Sequence, residues 1–275
     1  MNTPSPTRQA LNYTALIVIT VFMLLPFVWV LFGSFKTQAE FLSDPGAWLP
    51  QAVQFDNYVR LFAERGFGTY LTNSIIVSVV VIIGNVLFSA MAGYALAKLR
   101  FRGRGAVFPL VIVSMIVPYV ALFVPQFVLV VQFGLVDTLT AVILPLLVMP
   151  LSVFIMRQFA HSVPFELMEA ARLDGASEAR LFFGIFLPLT GPGLATVGIL
   201  SFLASWNNFL WPLVVAQSQK TYTAPVGLAV ASQASNTISF GLLLAGAMVV
   251  LLPILILFLF LQKYFIQGVA TAGLK

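Results

Sequence analysis

Charged residues, cysteine and histidine are scarce in this chain. Only 8% of its 275 residues are charged, cysteine is absent, and His161 is the single histidine. One histidine cannot form an H-E-x-x-H zinc motif, and because His161 lies outside the apolar segments it cannot form a Ser-His pair within a membrane. These absences exclude an intramembrane hydrolase, and the lack of cysteine leaves no redox chemistry to interpret.

Apolar residues dominate the remainder of the sequence. Hydrophobic residues make up 60% of it, and the mean hydropathy is +1.01. A soluble core cannot absorb that much apolar surface, whereas helices of about 20 apolar residues cross the ~30 Å hydrocarbon layer of a bilayer. The composition therefore predicts an all-α membrane protein with several spans. The 19 glycines and 16 prolines favour interrupted helices over a simple bundle.

Six apolar segments are long enough to cross a membrane. They cover residues 11–35, 73–96, 107–131, 138–156, 188–215 and 240–265. Six crossings place both termini on the same side. The first segment is too long for a signal-peptide core and has no A-x-A cleavage pattern before Ser34, so we expect a retained anchor.

The basic residues are unevenly distributed between the loops. Ten of the 14 Lys and Arg residues fall in the N-terminus, the 97–106 loop, the 157–187 loop and the tail. The other face carries only four basic residues, beside five acidic ones. By the positive-inside rule both termini and the 157–187 loop are cytoplasmic. The net charge of +5 is thus explained by topology, and no soluble domain is present to bind nucleic acid.

A charged segment interrupts the apolar sequence between Glu166 and Arg180, where four acids and two arginines cluster. Its chemistry predicts two short helices joined by a turn. Ser162 and Pro164 suit a helix start, and Gly175 suits a helix end because it enters the left-handed region without a Cβ penalty. From these residues alone, the segment is either a docking surface for another protein or an ordinary connector capped by glycine.

The segment also contains the pattern E-A-A-x-x-D-G-A, starting at Glu169, followed by F-x-x-I-x-L-P. This pattern resembles the signature loop of permease subunits of binding-protein-dependent ABC importers. Further residues resemble the carbohydrate-uptake branch, specifically the maltose-type second permease, and extend the resemblance over essentially the whole chain. They are Ser34-Phe35-Lys36, Asn57-Tyr58, Asn73-Ser74, Tyr94-Ala95-Leu96-Ala97, Gly134-Leu135, Phe202, Trp206 to Leu213, Val226-Gly227-Leu228 and Gln262 to Gly268.

The resemblance implies an ABC importer permease fold in which residues 1–275 form one transmembrane domain with a coupling loop at 161–187. The coupling helix would sit in a cleft of a cytoplasmic ATPase subunit. Its contact residues would be Glu169, Ala170, Ala171, Asp174, Gly175 and Ala176. The tail stops without the final glycine often seen in the family, so its contact with the ATPase is the weaker inference.

The resemblance also implies partners: a second related permease, the ATPase subunits, an extracytoplasmic solute-binding protein and the lipid of a bacterial inner membrane. The chain would bind no cofactor or metal and would do no chemistry itself. No G-x-x-x-x-G-K-[ST] phosphate loop is present, so ATP and Mg²⁺ would be handled by the ATPase. ATP binding would then rock the membrane helices between inward- and outward-open states.

Two groups of polar and aromatic residues are candidates for the substrate pathway. Trp206, Asn207 and Asn208 place amides and an aromatic ring in apolar sequence, and Tyr119 and Gln126 lie beside helix-disturbing prolines. Sugars are bound by such groups. The alternative is structural: the amides cap a helix, Tyr119 and Gln126 form interhelical hydrogen bonds, and the tryptophans sit in the interfacial belt, which we favour for Trp211.

The transported solute is not named by the sequence. Neutral sugars, amino sugars and glycerol phosphate derivatives remain open. A phosphorylated solute would favour a cationic pathway, and the predicted spans contain no Lys or Arg apart from Lys263 near the end of the last one. A self-contained secondary transporter is the other alternative. It would need a buried ionisable residue for coupling, and every acidic residue falls outside the predicted spans.

Overall fold

A computed structural model describes the backbone of residues 6–233 and 239–272, and side chains over 7–233 and 239–260. Every regular element in these ranges is helical, which confirms the all-α prediction. The α-helices are α1 (Pro6–Gly33), α2 (Gln38–Ser43), α3 (Asp56–Ala63), α4 (Phe67–Lys98), α5 (Arg104–Ile116), α6 (Phe123–Gln132), α7 (Leu139–Ile143), α8 (Pro150–Ser162), α9 (Phe165–Leu173), α10 (Glu178–Leu181), α11 (Leu187–Leu189), α12 (Gly191–Trp206), α13 (Leu210–Val215), α14 (Ala224–Ser232) and α15 (Phe240–Ala272). Short 3₁₀ helices lie at Tyr119–Leu122 and Leu144–Leu146, and a π-helix at Phe182–Phe186.

Three helices are long and apolar enough to span a membrane without a break: Thr7–Gly33, Phe67–Lys98 and Phe240–Phe260. They match the first, second and sixth predicted segments. The third and fourth segments each coincide with a pair of helices that is sharply bent, and the fifth overlaps mainly the second helix of another such pair. The pairs are Arg104–Ile116 with Tyr119–Gln132, bent by 99°, Leu139–Leu146 with Pro150–Ser162, bent by 43°, and Glu178–Leu189 with Gly191–Trp206, bent by 80°. The described part of the chain thus has three continuous candidate spans, or up to six if each bent pair is one span.

The chain divides into two compact units. The first contains the residues up to Phe67 together with Leu228–Leu255. Its loop is organised by the buried Asn57, whose Nδ2 donates to the backbone oxygens of Ser34 (2.9 Å) and Lys36 (2.8 Å). Gly241 allows this close packing, since a Cβ there would lie 2.6 Å from the Lys36 oxygen. The conformation of the loop after α1 is therefore fixed by hydrogen bonds between Asn57, Ser34 and Lys36, three of the residues that carry the family resemblance.

The second unit contains Gly68–Gly227 and the chain from Ile256 onward. Its centre is the fully buried amide of Asn85 on α4. The Nδ2 atom donates to Ser152 Oγ (3.1 Å) on α8 and to Ser201 Oγ (2.8 Å) on α12, while Oδ1 accepts from Ser89 Oγ (2.8 Å) and from the backbone N–H of Met149 (3.2 Å). All four hydrogen-bonding positions of the amide are therefore used, and three helices are joined by one side chain.

Close backbone contact between α4 and α8 accompanies this network. At Gly93 a Cβ atom would stand 2.7 Å from the backbone N of Arg157 and 2.7 Å from the backbone C of Met156. Distances under 3 Å to backbone cannot be relieved by a side-chain rotation, so only glycine allows the two helices to approach this closely.

The Gly93→Ala substitution is expected to force α4 and α8 apart and to destabilise the protein by about 1–3 kcal/mol, as overpacking does. The matched control is Gly68→Ala on the same helix, where a Cβ meets nothing within 4 Å. The melting temperature of each variant in mild detergent measures the effect. Equal melting temperatures for the two variants would show that the close approach of α4 and α8 at Gly93 does not contribute to the stability of the protein.

Asp137 joins two loops that lie outside the helices. It adopts a left-handed conformation (φ 60°), and its Oδ1 accepts from the backbone N–H groups of Gln217 (2.8 Å) and Ser218 (3.0 Å) and from the Thr221 hydroxyl. Its own N–H donates to the Val215 oxygen (2.9 Å). The Thr221 hydroxyl, together with these backbone donors, lowers the pKa of Asp137 to about 2.

The depressed pKa predicts the direction of a pH dependence. In the unfolded chain an aspartate titrates near pH ~4. The stabilisation by the Asp137 carboxylate is therefore fully present above that pH and is lost as the pH falls through about 2. We expect the melting temperature of the wild type to exceed that of Asp137→Asn at neutral pH, and the difference to shrink on acidification through this window. A difference independent of pH would contradict this account.

Candidate coupling surface and substrate pathway

The charged part of the segment at residues 161–187 contains two short helices joined by a turn, as the sequence predicts; the second continues directly into the π-helix at Phe182–Phe186. The first, α9, has Pro164 as its N-cap and is followed by Gly175 in the left-handed conformation (φ 83°). The second, α10, starts after Ser177, whose Oγ accepts from the backbone N–H of Arg180 (3.3 Å). Ser162 has a different role from the expected one: it is the last residue of α8, and its hydroxyl donates to the Phe159 oxygen (2.7 Å).

The inner face of this segment is anchored in the second unit. Met168 of α9 and Leu181 of α10 are fully buried. They belong to one apolar cluster with Tyr94 and Ala97 of α4, Met156 and Ala160 of α8, and Phe182 and Phe186. The Tyr94 ring contacts the Phe186 ring with a centroid distance of 5.0 Å. A displacement of α9 therefore has to move α4 and α8 or open this cluster.

The outer face of α9 and its turn is exposed. Glu169, Ala170, Asp174 and Gly175 all lie on this surface, and Leu173 is 90% exposed. A single exposed leucine is common on protein surfaces, but this one lies on the turn that ends the signature helix, where a partner can reach it. The sequence reasoning passed over Leu173 because it is one apolar residue among many, and only its exposure singles it out.

The two other alanines of the motif lie on the inner side. Ala171 and Ala176 are half-buried and pack against the apolar cluster beneath α9. Of the six predicted contact residues, four are therefore at the surface, while these two bring α9 close to the chain's own core.

A polar contact also ties α9 and α10 to α4. The Tyr94 hydroxyl donates to Glu178 Oε2 (2.7 Å), and Arg172 Nε donates to Glu178 Oε1 (2.8 Å). The hydrogen bond from Arg172 lowers the pKa of the Glu178 carboxyl, which favours the ionised form that this ion pair requires. Tyr94 belongs to the Y-A-L-A sequence of the resemblance. Its hydrogen-bond partner Glu178 lies 84 residues further along the chain, so only the folded structure reveals the contact.

A cavity of about 680 Å³ opens beside this contact. Both positive and negative side chains line it, together with apolar ones: Lys98, Leu99, Arg100, Phe101, Phe165, Glu169, Arg172 and Glu178. Glu169 thus belongs at once to the exposed outer face of α9 and to a recess of mixed charge.

The two candidate groups for the substrate pathway meet in the second unit. The Asn208 side chain lies within hydrogen-bonding reach of the Tyr119 hydroxyl, and Tyr119 is 39% exposed. Asn207 is exposed and forms the C-cap of α12. Gln126 is half-buried, with an Oε1 atom that has no hydrogen-bond donor among the described residues. Asn207 and Tyr119 are thus exposed, Asn208 and Gln126 are partly exposed, and all four carry polar groups that could contact a solute.

The tryptophans differ from this group. Trp206 is only 1% exposed and stacks on Phe202 with a centroid distance of 5.4 Å. Trp211, expected in the interfacial belt, is instead fully buried: its Nε1 donates to the Ala141 oxygen (2.9 Å), and its ring lies edge-on to Phe123. The prediction for Trp211 was wrong because the bent helices surround it with protein, which hydropathy along the chain does not reveal.

Metal-binding clusters of three or more His, Cys, Asp or Glu do not occur in the part of the chain that the structure describes. The predicted tail residues from Gln262 to Gly268 lie outside the described side chains.

Comparison with known proteins agrees with this geometry. Residues 85–271 match the family described as binding-protein-dependent transport system inner membrane component. The arabinooligosaccharides transport system permease protein AraQ of Halalkalibacterium halodurans is 43% identical over 91% of this chain and 90% of its own. The diacetylchitobiose uptake system permease protein NgcG of Streptomyces coelicolor is 34% identical over 96% and 88%. The trehalose/maltose transport system permease protein MalG of Thermococcus litoralis is 31% identical over 98% and 97%.

Among solved structures, a chain of a bacterial ABC transporter involved in the import of the acidic polysaccharide alginate superposes with a TM-score of 0.83. The two chains share 22% sequence identity, and the superposition covers 96% of this chain and 100% of the other. The two chains therefore have a common fold. The signature pattern, the anchored pair of short helices, the family match and the relatives agree, and the chain belongs to the family of inner membrane components of binding-protein-dependent transport systems.

Proposed function

We propose that this chain is the membrane-spanning permease subunit of an ATP-driven importer that moves a sugar or sugar-like solute by alternating access. The exposed outer face of α9, which ends at Leu173 and lies over a buried anchor, is the observation that carries the coupling proposal. A docking helix has to be accessible to its partner and firmly attached to the helices that it moves. Both properties occur together here.

The coupling surface consists of Glu169, Ala170, Asp174 and Gly175, with Leu173 added as an apolar anchor. Ala171 and Ala176 act from beneath by letting α9 lie close to the cluster. An ATPase cleft that encloses Leu173 would gain about 1.5–3 kcal/mol from its burial. Force on α9 is then transmitted to α4 through Met168 and through the Tyr94–Glu178–Arg172 contact.

The proposed setting is the cytoplasmic membrane of a bacterium, with six spans, both termini and α9 on the cytoplasmic side, and both compact units belonging to one permease domain. The positive-inside distribution supports this orientation. The proposed partners are a second related permease, cytoplasmic ATPase subunits that hold ATP and Mg²⁺, and an extracytoplasmic solute-binding protein. This chain transmits work and hydrolyses nothing itself.

An oligosaccharide is the proposed cargo, since the named relatives transport arabinooligosaccharides, diacetylchitobiose and trehalose or maltose. Asn208, Tyr119, Asn207 and Gln126 offer the amides and the aromatic face that neutral sugars require. Trp206 would take part only if a conformational change exposes it. Neither a glycerol phosphate-type solute nor a self-contained secondary transporter is favoured by the relatives.

The coupling proposal is tested by Leu173→Asp in the affinity-tagged full chain, expressed with its natural partners. We expect membrane insertion to persist while the recovery of the co-purifying ATPase and ATP-driven uptake fall at least about tenfold, because burial of the new charge opposes docking. Mass spectrometry identifies what remains bound. The control is Leu49→Asp, which adds the same charge at a 64% exposed leucine of the other unit.

Normal ATPase recovery and uptake in Leu173→Asp would remove α9 from the coupling role. Purification of the wild-type chain alone, without an ATPase or a related permease, would instead contradict the importer assembly as a whole.

The pathway proposal is tested by Asn208→Leu, which preserves side-chain volume but removes the amide. We expect the rate of sugar uptake to fall about tenfold or more while the ATPase co-purifies at the wild-type level, because a lost hydrogen bond in a low-dielectric pathway leaves a sugar hydroxyl unpaired. The matched control is Asn12→Leu, which makes the same change at an exposed asparagine of α1 in the other unit. An unchanged uptake rate would leave Asn208 with only its structural contact to Tyr119.

A further inference from the structure

A second cavity lies in the second unit, apart from the coupling surface. Its volume is about 300 Å³, and it is lined by Leu96, Arg104, Gly105, Phe108, Pro109 and Arg157. Two of these six residues are arginines and none is acidic. A cavity of this size is at the lower end of the range for small-molecule sites.

No carboxylate among the described residues forms an ion pair with the arginines of this cavity. Arg157 Nε is buried without a hydrogen-bond acceptor among the described residues, and the guanidinium packs on the Phe108 ring, 3.6 Å from Cζ to the ring centroid. Arg104 donates to the backbone oxygens of Leu99 (3.2 Å) and Ala97 (3.3 Å), which are neutral partners. The ion pairs found among the described residues involve neither arginine.

Two guanidinium groups share this partly buried cavity, and no carboxylate lines it, so their positive charge is uncompensated there. The ligand that would compensate this charge is an anion. Guanidinium groups bind phosphate oxygens through charge-assisted hydrogen bonds, often in bidentate geometry. Phosphate chemistry therefore fits the polar side of this cavity.

Apart from the two arginines, the lining of the cavity is uncharged and comes largely from α5. Leu96, Phe108 and Pro109 line it, and the exposed side chains of Val107, Leu110 and Val113 extend up the same helix. A free phosphate ion would gain nothing from such a surface. A phospholipid would place its phosphate at the arginines and its acyl chains along α5, as basic pockets between membrane helices do.

We propose that this cavity binds the phosphate group of an anionic phospholipid headgroup through Arg104 and Arg157, with Phe108 holding the Arg157 guanidinium in place. A net negative headgroup such as phosphatidylglycerol is favoured over phosphatidylcholine, whose choline would add a third positive charge. The proposal requires only that the chain spans a phospholipid bilayer, so it stands or falls separately from sugar transport.

The test compares lipid retention by native mass spectrometry of the full chain, after delipidation and exposure to phosphatidylglycerol or phosphatidylcholine in mild detergent. We expect the wild type to retain phosphatidylglycerol preferentially and Arg157→Gln to lose at least about tenfold in retention, as expected for a lost charge-assisted hydrogen bond. Arg104→Gln is the second variant and should show the same loss. The matched control is Arg102→Gln, which removes an exposed positive charge from the same loop without lining the cavity.

Wild-type retention of phosphatidylglycerol in either folded arginine variant would overturn the proposal. An equal loss of retention in Arg102→Gln would also overturn it, because the lipid would then be attracted to the basic loop in general and not bound in the cavity. A large excess of inorganic phosphate distinguishes the source of the ligand. If it displaces phosphatidylglycerol and by itself raises the melting temperature of the wild type but not of Arg157→Gln, the phosphate site stands with free phosphate as its ligand. If the assembled transporter excludes phosphatidylglycerol that the isolated chain retains, a partner fills the cavity and the lipid proposal is wrong.

Discussion

Within a bilayer, every backbone N–H and C=O needs a partner inside the protein, and the broken helices of this chain depend on that constraint being met. The break before α8 shows how it is met. The N–H of Met149, which lies at the bend, donates to Asn85 Oδ1, while the same amide reaches Ser152 and Ser201. One side chain on a continuous helix thus supports an interruption in its neighbour, and a bent span can exist where lipid alone would not permit it.

This role makes α4 the frame of the second unit. Its buried face carries, one or two turns apart, Ser78, Asn85, Ser89, Gly93 and Ala97, which are small or able to form hydrogen bonds, so α8 and α12 approach closely. Tyr94 extends the same face to α10, and the cluster around Met168 attaches α9. The helices that would respond to an ATPase and the helices that hold Asn208 near Tyr119 therefore belong to one packed body. Coupling between them needs no separate relay, because a packed interior transmits displacement.

Most of the fold could be predicted from the sequence because hydropathy reports which segments are apolar, and turn chemistry reports where Gly175 ends α9. The sharp bends could not be predicted, since proline and glycine permit a bend but the partner that stabilises it, Asn85 for Met149, comes from a distant part of the chain. The same limit applies to the site. The signature pattern located α9 correctly, but it could not separate exposed Ala170 from inward Ala171, nor identify Leu173, because those distinctions depend on which face meets the core. Trp211 was misplaced for the same reason.

The first helix differs from α4 in a way that bears on how the sequence can change over time. The apolar window of Thr7–Gly33 has no residue buried within this chain, whereas a third of the corresponding window in α4 is buried. Substitutions in this window, which does not include the buried Gly33 at the end of α1, are therefore constrained by length and apolarity alone among the described residues, so leucine, isoleucine, valine and phenylalanine can replace one another almost freely. In α4 the identity of individual small and polar residues matters. Two helices of similar hydropathy should accordingly diverge at very different rates among related permeases.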